Sequence, residues 1–447
     1  MKSTIKIIST VFLAGVFSLS QGQNLQPCGH DLVIKKIEEN NPAYRTNRDI
    51  WYNTALQLFD KNSAQRRINR DTLFYTIPVV FHVIYNNAQE NLADPYIISQ
   101  LATLNACFRR LNSDTTKTRS RFMPVASDTR IQFVLASTDP SGNPTNGITR
   151  TQTSVTEWGN IQQLNDNMKF TSKGGQDGWD PSKYMNIWIC DLRDPTYGEV
   201  LYGFAYPPDG APNWQNSTQP VNSPFSGVVL HYKIVGINNP LANSNYKQGK
   251  TAVHEVGHYL GLRHIWGDGT GQSGFNNCAQ SDGIDDTPFS SSPTGLCDTM
   301  KNSCIEQAND QPDMIENYMD YSPNTCQNMY TRKQSVIMQY VLNRFRTDLS
   351  TRTIAIDTVS DKEGPAAITM FPNPFRNSFN ISVLNAKGSK FYCDIYDMLG
   401  RKTKKTIEIQ TDIDYPVNTE YLAEGFYVVE IFNEGRSEMV RMKIIKQ

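Results

Sequence analysis

The sequence has no excess of charge of either sign. Its 447 residues include 43 Lys or Arg and 44 Asp or Glu, which leaves a formal net charge of −1. That balance gives no electrostatic support for nucleic-acid binding, so we expect no nucleic-acid partner. Aromatic residues nevertheless make up 11% of the chain, whereas disordered chains are poor in them. Length and composition together predict a folded protein of two or three domains.

Long apolar runs are also scarce, and the one that suggests a targeting segment lies at the N-terminus. Two lysines precede the apolar stretch 7–17, and small residues follow it. This order predicts a signal peptide over 1–22, and the stretch is too short to be a stable membrane span. An uncleaved N-terminal anchor is the alternative interpretation. We therefore expect a protein that is exported through the periplasm and is then secreted or held at the cell surface.

The rest of the chain divides into regions that differ in composition and in their patterns of apolar residues. Residues 23–65 are polar, and they precede a long region, 66–350, in which strand and helix patterns are both present. A polar linker over 351–367 leads to the last region, 368–447. Short alternating strands separated by turns predict a small all-β sandwich in that last region.

Histidine is rare, with six in the chain, but three of the six lie between 254 and 264. His254 and His258 are four residues apart, which on a helix puts both imidazoles on one face, within reach of one metal ion. Gly261 permits the left-handed backbone that ends a helix, so His264 can return as a third ligand. Three imidazoles leave one position of tetrahedral zinc open for water. Glu255 can reach that water as a general base.

This segment, HEVGHYLGLRH, resembles the zinc motif of the metzincin metalloproteases, and NYMDYS at 317–322 resembles their methionine-containing turn. The further segments DGIDDTP, CDTMKNSC and CQNMYT are similar to those of the pappalysin family, and the similarity extends over roughly 75–350. The resemblance implies an α+β, zincin-like catalytic domain with a twisted mixed sheet and an active-site helix. It also implies a secreted zinc endopeptidase that hydrolyses proteins and peptides through a zinc-bound water activated by Glu255.

An inert metalloprotease-like scaffold used for binding or adhesion is the alternative function. The intact Glu255 and the three histidines favour the enzyme, because an inert scaffold would usually have lost one of them.

The resemblance assigns roles to further residues. Met319 would form the apolar floor of the site, and Tyr321 would stabilise the tetrahedral intermediate or act as a mobile zinc ligand. Simple packing of Tyr321 is the alternative. The family cleaves on the amino side of Arg, and less often Lys, which implies the same P1′ preference here. Such a preference requires a carboxylate in the primed-side pocket, and the sequence leaves open which Asp between 282 and 320 supplies it.

Four of the eight cysteines cluster in one loop-rich stretch, at Cys278, Cys297, Cys304 and Cys326. In an exported chain such a cluster favours two disulfides, in any of three pairings, over free thiols. A second zinc site is less well supported, because the stretch has no CxxC and no nearby His. The family resemblance implies the pairing of Cys278 with Cys304 and of Cys297 with Cys326.

The same loop contains an oxygen-rich acidic segment. Calcium takes carboxylate, carbonyl and water ligands, and the resemblance supports structural calcium at this place in the chain. We therefore expect a Ca²⁺ site that includes Asp282, Asp285 and Thr287. A solvated acidic turn is the alternative.

Cys28 lies in the polar segment 23–65, upstream of the zinc motif. A thiolate is a good zinc ligand and could fill the position that water otherwise takes. The surrounding sequence, QPCGH, resembles a cysteine switch. It predicts a latent zymogen in which Cys28 binds zinc. The polar, Arg-rich stretch that follows suggests a flexible and cleavable segment, so 23–65 is predicted to be a pro-segment. A cysteine with no such role is the alternative.

The C-terminal region resembles a second known module. The segments FPNPF at 371–375, YDMLGR at 396–401 and GFYVV at 425–429 are similar to the sorting domain of type IX secretion. The resemblance implies an immunoglobulin-like sandwich that engages the type IX secretion machinery and has no part in catalysis. An adhesion or carbohydrate-binding module is the alternative.

Overall fold

The structure is a computed structural model that describes the following parts of the chain: 25–66, 71–159, 164–194, 200–208, 223–267, 278, 281–306, 310–356, 367–371, 375–384, 389–411, 414–436 and 439–446. The predicted signal peptide, 1–22, lies outside the described residues, as does most of the predicted linker. The chain forms two compact units that divide between Ala355 and Ile356.

The helices of the described residues all belong to the first unit. They are α1 (His30–Asn40), α2 (Tyr44–Arg66), α3 (Asp94–Phe108), α4 (Lys250–Tyr259) and α5 (Arg332–Arg344). In this part of the chain, none of the helices combines the length and the apolar character needed to cross a membrane.

The strands of the first unit are short except for one. They are β1 (Leu25–Gln26), β2 (Asp71–Tyr85), β3 (Ala126–Ser127), β4 (Ile131–Leu135), β5 (Ile148–Gln152), β6 (Met185–Cys190), β7 (Val200–Leu201), β8 (Gly203–Ala205), β9 (Val228–His231), β10 (Tyr330–Thr331) and β11 (Thr351–Ile356).

The central sheet of this unit has the strand order β11-β2-β6-β9-β8, and β4 and β5 also pair with β2. The pairs of β2 with β4, β5 and β6, and of β6 with β9, are parallel, whereas β8 runs antiparallel to β9 at the edge. Every residue of β6 and β9 is buried, as expected for strands covered on both faces. This mixed sheet with few helices confirms the predicted α+β class.

The segment 23–65 is not the flexible stretch that its polar composition suggested. Its described part contains α1 and α2, and Val33, Trp51 and Tyr52 are buried there. Apolar residues are few in these helices, but they recur at helical spacing, so each helix buries one narrow face. The prediction of flexibility was wrong because composition averages over the two faces of a helix.

Helix α3 ends at Phe108, one residue after the buried Cys107. Arg110 adopts a left-handed backbone with φ of 50°. Leu111 therefore lies outside the helix and is exposed.

The second unit is all-β, as predicted. Its strands are β12 (Ala367–Phe371), β13 (Ser378–Leu384), β14 (Phe391–Asp397), β15 (Ile407–Ile409), β16 (Asp414–Asn418), β17 (Gly425–Asn433) and β18 (Met439–Lys446). They form a three-stranded sheet, β12-β13-β16, and a four-stranded sheet, β15-β14-β17-β18. Buried side chains of both sheets, such as Phe379 and Ile431, share one hydrophobic core, so the two sheets form a sandwich.

Candidate active site

Helix α4 and the turn after it bring three imidazoles together. His254 and His258 lie one turn apart on α4, and Gly261, with φ of 92°, reverses the chain so that His264 faces them. The Nε2 atom of His258 lies 3.0 Å from Nε2 of His254 and 3.1 Å from Nε2 of His264. All three rings are buried. Three ring nitrogens therefore converge on one point inside the protein.

The other nitrogens of two of these rings fix their tautomers. Nδ1 of His254 lies 2.7 Å from the carbonyl oxygen of Tyr318, and Nδ1 of His258 lies 2.8 Å from that of Leu262. A carbonyl only accepts, so each Nδ1 donates and each Nε2 presents a lone pair. Burial lowers the pKa of His254 to about 4 and the pKa values of His258 and His264 well below their usual range. Neutral rings with facing lone pairs are the donor set that a metal ion requires.

Glu255 lies next to this point but on the neighbouring position of the helix. Its side chain is completely buried and packs against Gly203 of the edge strand β8, where a Cβ atom would come within 2.9 Å of the Glu255 Cγ. Burial raises the pKa of Glu255 to about 8, and the nearby Cys28 thiol opposes that rise. A carboxylate held this way has a pKa close to that of a general base working near neutral pH.

Met319 packs directly under helix α4, which carries His254 and His258. Its side chain is fully buried, and its sulfur would lie 2.5 Å from a Cβ atom on Gly257, between the two helical histidines. Only glycine lets the helix approach the methionine this closely. Tyr330 holds the same helix from below, because its hydroxyl donates to the carbonyl oxygen of Val253 at 2.7 Å.

Tyr321 lies beside the imidazoles. Its ring centroid is 5.6 Å from that of His254 and 5.0 Å from that of His264, and Trp266 packs against it at 4.8 Å. The Tyr321 hydroxyl donates to the carbonyl oxygen of Cys28, 3.5 Å away.

Cys28 enters the same cluster from the N-terminal segment. Its sulfur and the ligand nitrogens of His254, His258 and His264 all lie within 4.8 Å of one another. In the described part of the chain, this is the only group of three or more His, Cys, Asp or Glu side chains with such an arrangement. Four donors at these distances could surround one metal ion.

His30 is a neighbour of the site that the sequence did not indicate, because it lacks ligand spacing. Its ring stacks on that of His258, with centroids 3.7 Å apart and planes within 5° of parallel. The signal that could have found it is its position two residues after Cys28.

The loop after α4 holds two disulfides, Cys278–Cys304 and Cys297–Cys326, and the predicted calcium residues. The hydroxyl of Thr287 donates to both carboxylate oxygens of Asp282, at 2.8 and 3.0 Å, and Asp282 is buried. Asp285 is exposed and pairs instead with Lys333 at 2.7 Å. The structure therefore brings Asp282 and Thr287 together, whereas the side chain of Asp285 is turned toward α5.

The fold and the site define a metallopeptidase of the metzincin type, with its HExxHxxGxxH helix and a methionine beneath it. Residues 170–343 match the Peptidase M43 family, described as pregnancy-associated plasma protein-A, and residues 369–447 match the secretion system C-terminal sorting domain.

Solved structures and curated proteins are similar over a larger part of the chain. Mature mirolysin of Tannerella forsythia, in complex with a cleaved peptide, is 39% identical, with a TM-score of 0.53 over 62% of this chain and 95% of that chain. A promirolysin variant of the same organism is 35% identical, with a TM-score of 0.57 over 72% of this chain and 96% of that chain. An extracellular metalloprotease of Arthroderma gypseum is 28% identical over 290 residues, which are 64% of this chain and 78% of that protein.

The chain belongs to the pappalysin family of metallopeptidases and ends in a type IX sorting domain. These findings confirm the predicted family, the enzyme class and the secreted or cell-surface location.

Proposed function

We propose that the chain is a zinc-dependent endopeptidase, that it is made as a latent zymogen, and that it prefers Arg, then Lys, at P1′. The observation that carries the proposal is the convergence of three neutral imidazoles on one point beside a buried carboxylate. Tetrahedral zinc with Zn–N bonds of about 2.0–2.1 Å needs nitrogens roughly 3.3–3.4 Å apart, close to the 3.0 and 3.1 Å found here. His254, His258 and His264 are the proposed zinc ligands.

The side chains around the metal position have different proposed roles in hydrolysis. Zinc, when bound, supplies Lewis acidity that lowers the pKa of water and polarises a carbonyl. Glu255 takes a proton from the attacking water through a carboxylate oxygen and passes it to the nitrogen of the leaving amine. The Tyr321 hydroxyl, beside two of the imidazoles, donates to the carbonyl oxygen as negative charge develops on it. Met319 supports the helix and does not bind the metal.

The edge strand β8 is positioned to hold an extended substrate. The carbonyl oxygen of Gly203 accepts a hydrogen bond from the amide of Gly29 at 2.8 Å, next to Glu255. An extended peptide can replace that contact by adding a strand to the sheet edge. Mature mirolysin, to which this chain is similar, is described in complex with a cleaved peptide, and this supports a peptide substrate for this chain.

Latency follows from the segment that covers the site. Cys28 is the proposed fourth zinc ligand of the zymogen, because its sulfur lies within 4.8 Å of the three ligand nitrogens. Promirolysin matches about a tenth more of this chain than mature mirolysin does, which is the size of the proposed pro-segment, 23–65. The C-terminal unit is proposed to deliver the precursor to the type IX secretion machinery.

Structural calcium is proposed at Asp282 and Thr287. The carboxylate of Asp282, the Thr287 hydroxyl and the carbonyl oxygen of Ile284 are mutual neighbours, and oxygen donors of these kinds suit calcium. Asp285 would need to leave Lys333 to join them, so it is the least supported of the predicted ligands.

A casein-cleavage assay tests the proposed chemistry. We expect activity that a zinc chelator abolishes and added zinc restores, and none from a Glu255→Ala variant that keeps its zinc. An active Glu255→Ala protein would refute the role of Glu255. A wild-type protein that binds zinc, releases its pro-segment and still cleaves nothing would favour the inert binding or adhesion scaffold.

The maturation products test the P1′ preference. If the enzyme processes itself, new N-termini should begin with Arg, at Arg45, Arg48, Arg66, Arg67 or Arg70; Arg67 and Arg70 lie outside the described residues. Arg45 and Arg48 lie within α2, so we expect the end of that helix to be cut first. N-terminal sequencing of self-processed protein decides the matter, and termini that begin mainly with apolar residues would contradict the preference.

A further inference from the structure

Helix α1 of the pro-segment occupies a groove beside the edge strand. Its buried face carries Val33, Ile34 and Ile37. These residues pack in one cluster with apolar side chains of the catalytic unit, which include Trp158, Met168, Trp188, Leu192, Leu201 and Phe204. The helix begins at His30, two residues after Cys28, so the groove continues from the metal site.

A charged contact anchors the same helix at the side of the groove. Lys36 Nζ lies 2.6 Å from Oδ2 of Asp166, whose side chain is only 5% exposed. The Tyr206 hydroxyl donates to the same oxygen at 2.6 Å. Lys36 also lies 5.3 Å from the centroid of the Phe225 ring. The ammonium group of Lys36 therefore contacts a carboxylate and lies over the face of an aromatic ring.

The carboxylate is held in place without the pro-segment. Oδ1 of Asp166 pairs with Lys169 Nζ at 2.8 Å. Lys169 is itself buried, and its Nζ donates to the carbonyl oxygen of Phe225 at 2.8 Å and lies 4.2 Å from the Tyr206 ring centroid. Lys169 and Tyr206, the two residues that hold Asp166 in place, both belong to the catalytic unit. When α1 leaves, Oδ2 of Asp166 therefore faces an apolar groove from which Lys36 is absent.

The distance between the metal site and Asp166 determines which residue of a substrate could reach the Asp166 carboxylate. From His30 to Lys36 the helix rises by roughly 9 Å at about 1.5 Å per residue, and Cys28 lies two residues further back. An extended peptide advances about 3.3 Å per residue. A side chain at Asp166 would therefore belong to a residue roughly three to five positions from the bond that is cut.

We propose that in the mature protease this groove is a substrate subsite that binds Lys or Arg three to five residues from the scissile bond, flanked by aliphatic residues. In the zymogen, Lys36 occupies the place of that substrate residue. The inference rests on the proposed proteolytic function and names a second determinant of its specificity, remote from the P1′ residue.

Pairs of otherwise identical peptides test the inference with the self-processed enzyme. Each peptide has one fixed Arg at P1′, and each pair differs by Lys or the uncharged norleucine at one position, scanned from two to six residues away on either side. We expect about a tenfold higher kcat/KM for Lys on one side, centred at three to five residues, because a desolvated charge pair is formed there.

Variants of the acceptor separate this subsite from general electrostatic attraction. Asp166→Asn should reduce the Lys-to-norleucine ratio to about twofold or less. Since that change leaves Lys169 buried without its carboxylate, the double variant Asp166→Asn with Lys169→Met provides the same test with no buried charge. Asp348→Asn removes an exposed carboxylate elsewhere in the catalytic unit and should leave the ratio at its wild-type value.

Synthetic pro-segment peptides spanning 27–40 give an independent measurement. Lys36→Met should weaken inhibition of the mature enzyme about tenfold, whereas Lys35→Met, at the exposed neighbouring position, should not. Equal cleavage of every Lys and norleucine pair, or a preference that survives in both Asp166 variants, overturns the inference and leaves the protease standing. Failure to cleave any peptide overturns the proposed function itself.

Discussion

A single methyl group on Gly257 is expected to destabilise the catalytic unit. The new Cβ atom would lie 2.5 Å from the Met319 sulfur and 3.0 Å from the Tyr330 hydroxyl oxygen, and both side chains are buried. Overpacking of this kind costs ~1–3 kcal/mol, against a gain of ~1 kcal/mol for alanine over glycine within a helix. At 2.5 Å the clash should outweigh the gain. We expect Gly257→Ala to lower stability by ~1–2 kcal/mol and Tm by about 2–6 °C.

A double-mutant cycle with Met319 checks that reasoning. Met319→Ala alone should cost ~2–5 kcal/mol, because it leaves a cavity. In that background Gly257→Ala should cost nothing or be stabilising, which is a coupling of at least ~1 kcal/mol. The measurement is thermal unfolding in a Glu255→Ala background that prevents self-cleavage, with zinc content measured in parallel. Gly295→Ala is the matched control, since a Cβ atom there meets nothing within 4 Å. An equal cost of Gly257→Ala in both backgrounds would refute the proposed contact.

Three further predictions concern catalysis, latency and the loop. Glu255→Ala should retain zinc but lose about 10³-fold or more of its peptidase activity, and its precursor should accumulate uncleaved; near-normal turnover would contradict the assignment. Cys28→Ala should yield a precursor that activates faster in a time course. A variant precursor that is as latent as wild type would show that the Cys28 thiol does not cause the latency. In calcium-free buffer, burial holds the pKa of Asp282 at about 8, above its usual value of about 3.9, so the folded state keeps a proton that the unfolded chain releases. The contribution of Asp282 to stability should therefore be greatest below about pH 4 and fall by on the order of 1.4 kcal/mol per pH unit toward pH 8. Measured as the difference in Tm between wild type and Asp282→Asn, this contribution should change with pH in calcium-free buffer and should not change with pH when calcium is bound; a difference that is the same at every pH in calcium-free buffer would contradict the prediction.

The convergence of the three imidazoles could be predicted from the sequence because its geometry is local. Helical spacing alone places His254 and His258 on one face, and one glycine turn returns His264. The all-β unit was predictable for a similar reason, since alternation along a strand reports directly on its two faces.

Residue spacing alone could not predict the surroundings of the three imidazoles, because they depend on contacts between distant parts of the chain. Tyr321 and Cys28 are 293 residues apart, and resemblance to known motifs, not spacing, assigned both of them to the site. Lys36 and Asp166 are 130 residues apart, share no motif and were not predicted to meet. The exposed position of Asp285 was missed for the same reason: its partner, Lys333, lies on a helix 48 residues further along the chain.

The attachment of the pro-segment at two separate places bears on how the proposed latency ends. The first attachment is formed by the contacts near Cys28. The second is formed by α2: the Tyr52 hydroxyl donates to the carbonyl oxygen of Gly261, in the turn before His264, and Trp51 stacks parallel to Tyr340 of α5. Two attachments on one chain keep each other at a high effective concentration. When one of them is lost, the other still holds the pro-segment close to the site. A Cys28→Ala zymogen should therefore activate faster than wild type without being active from the start, and cleavage after α2 removes both attachments together.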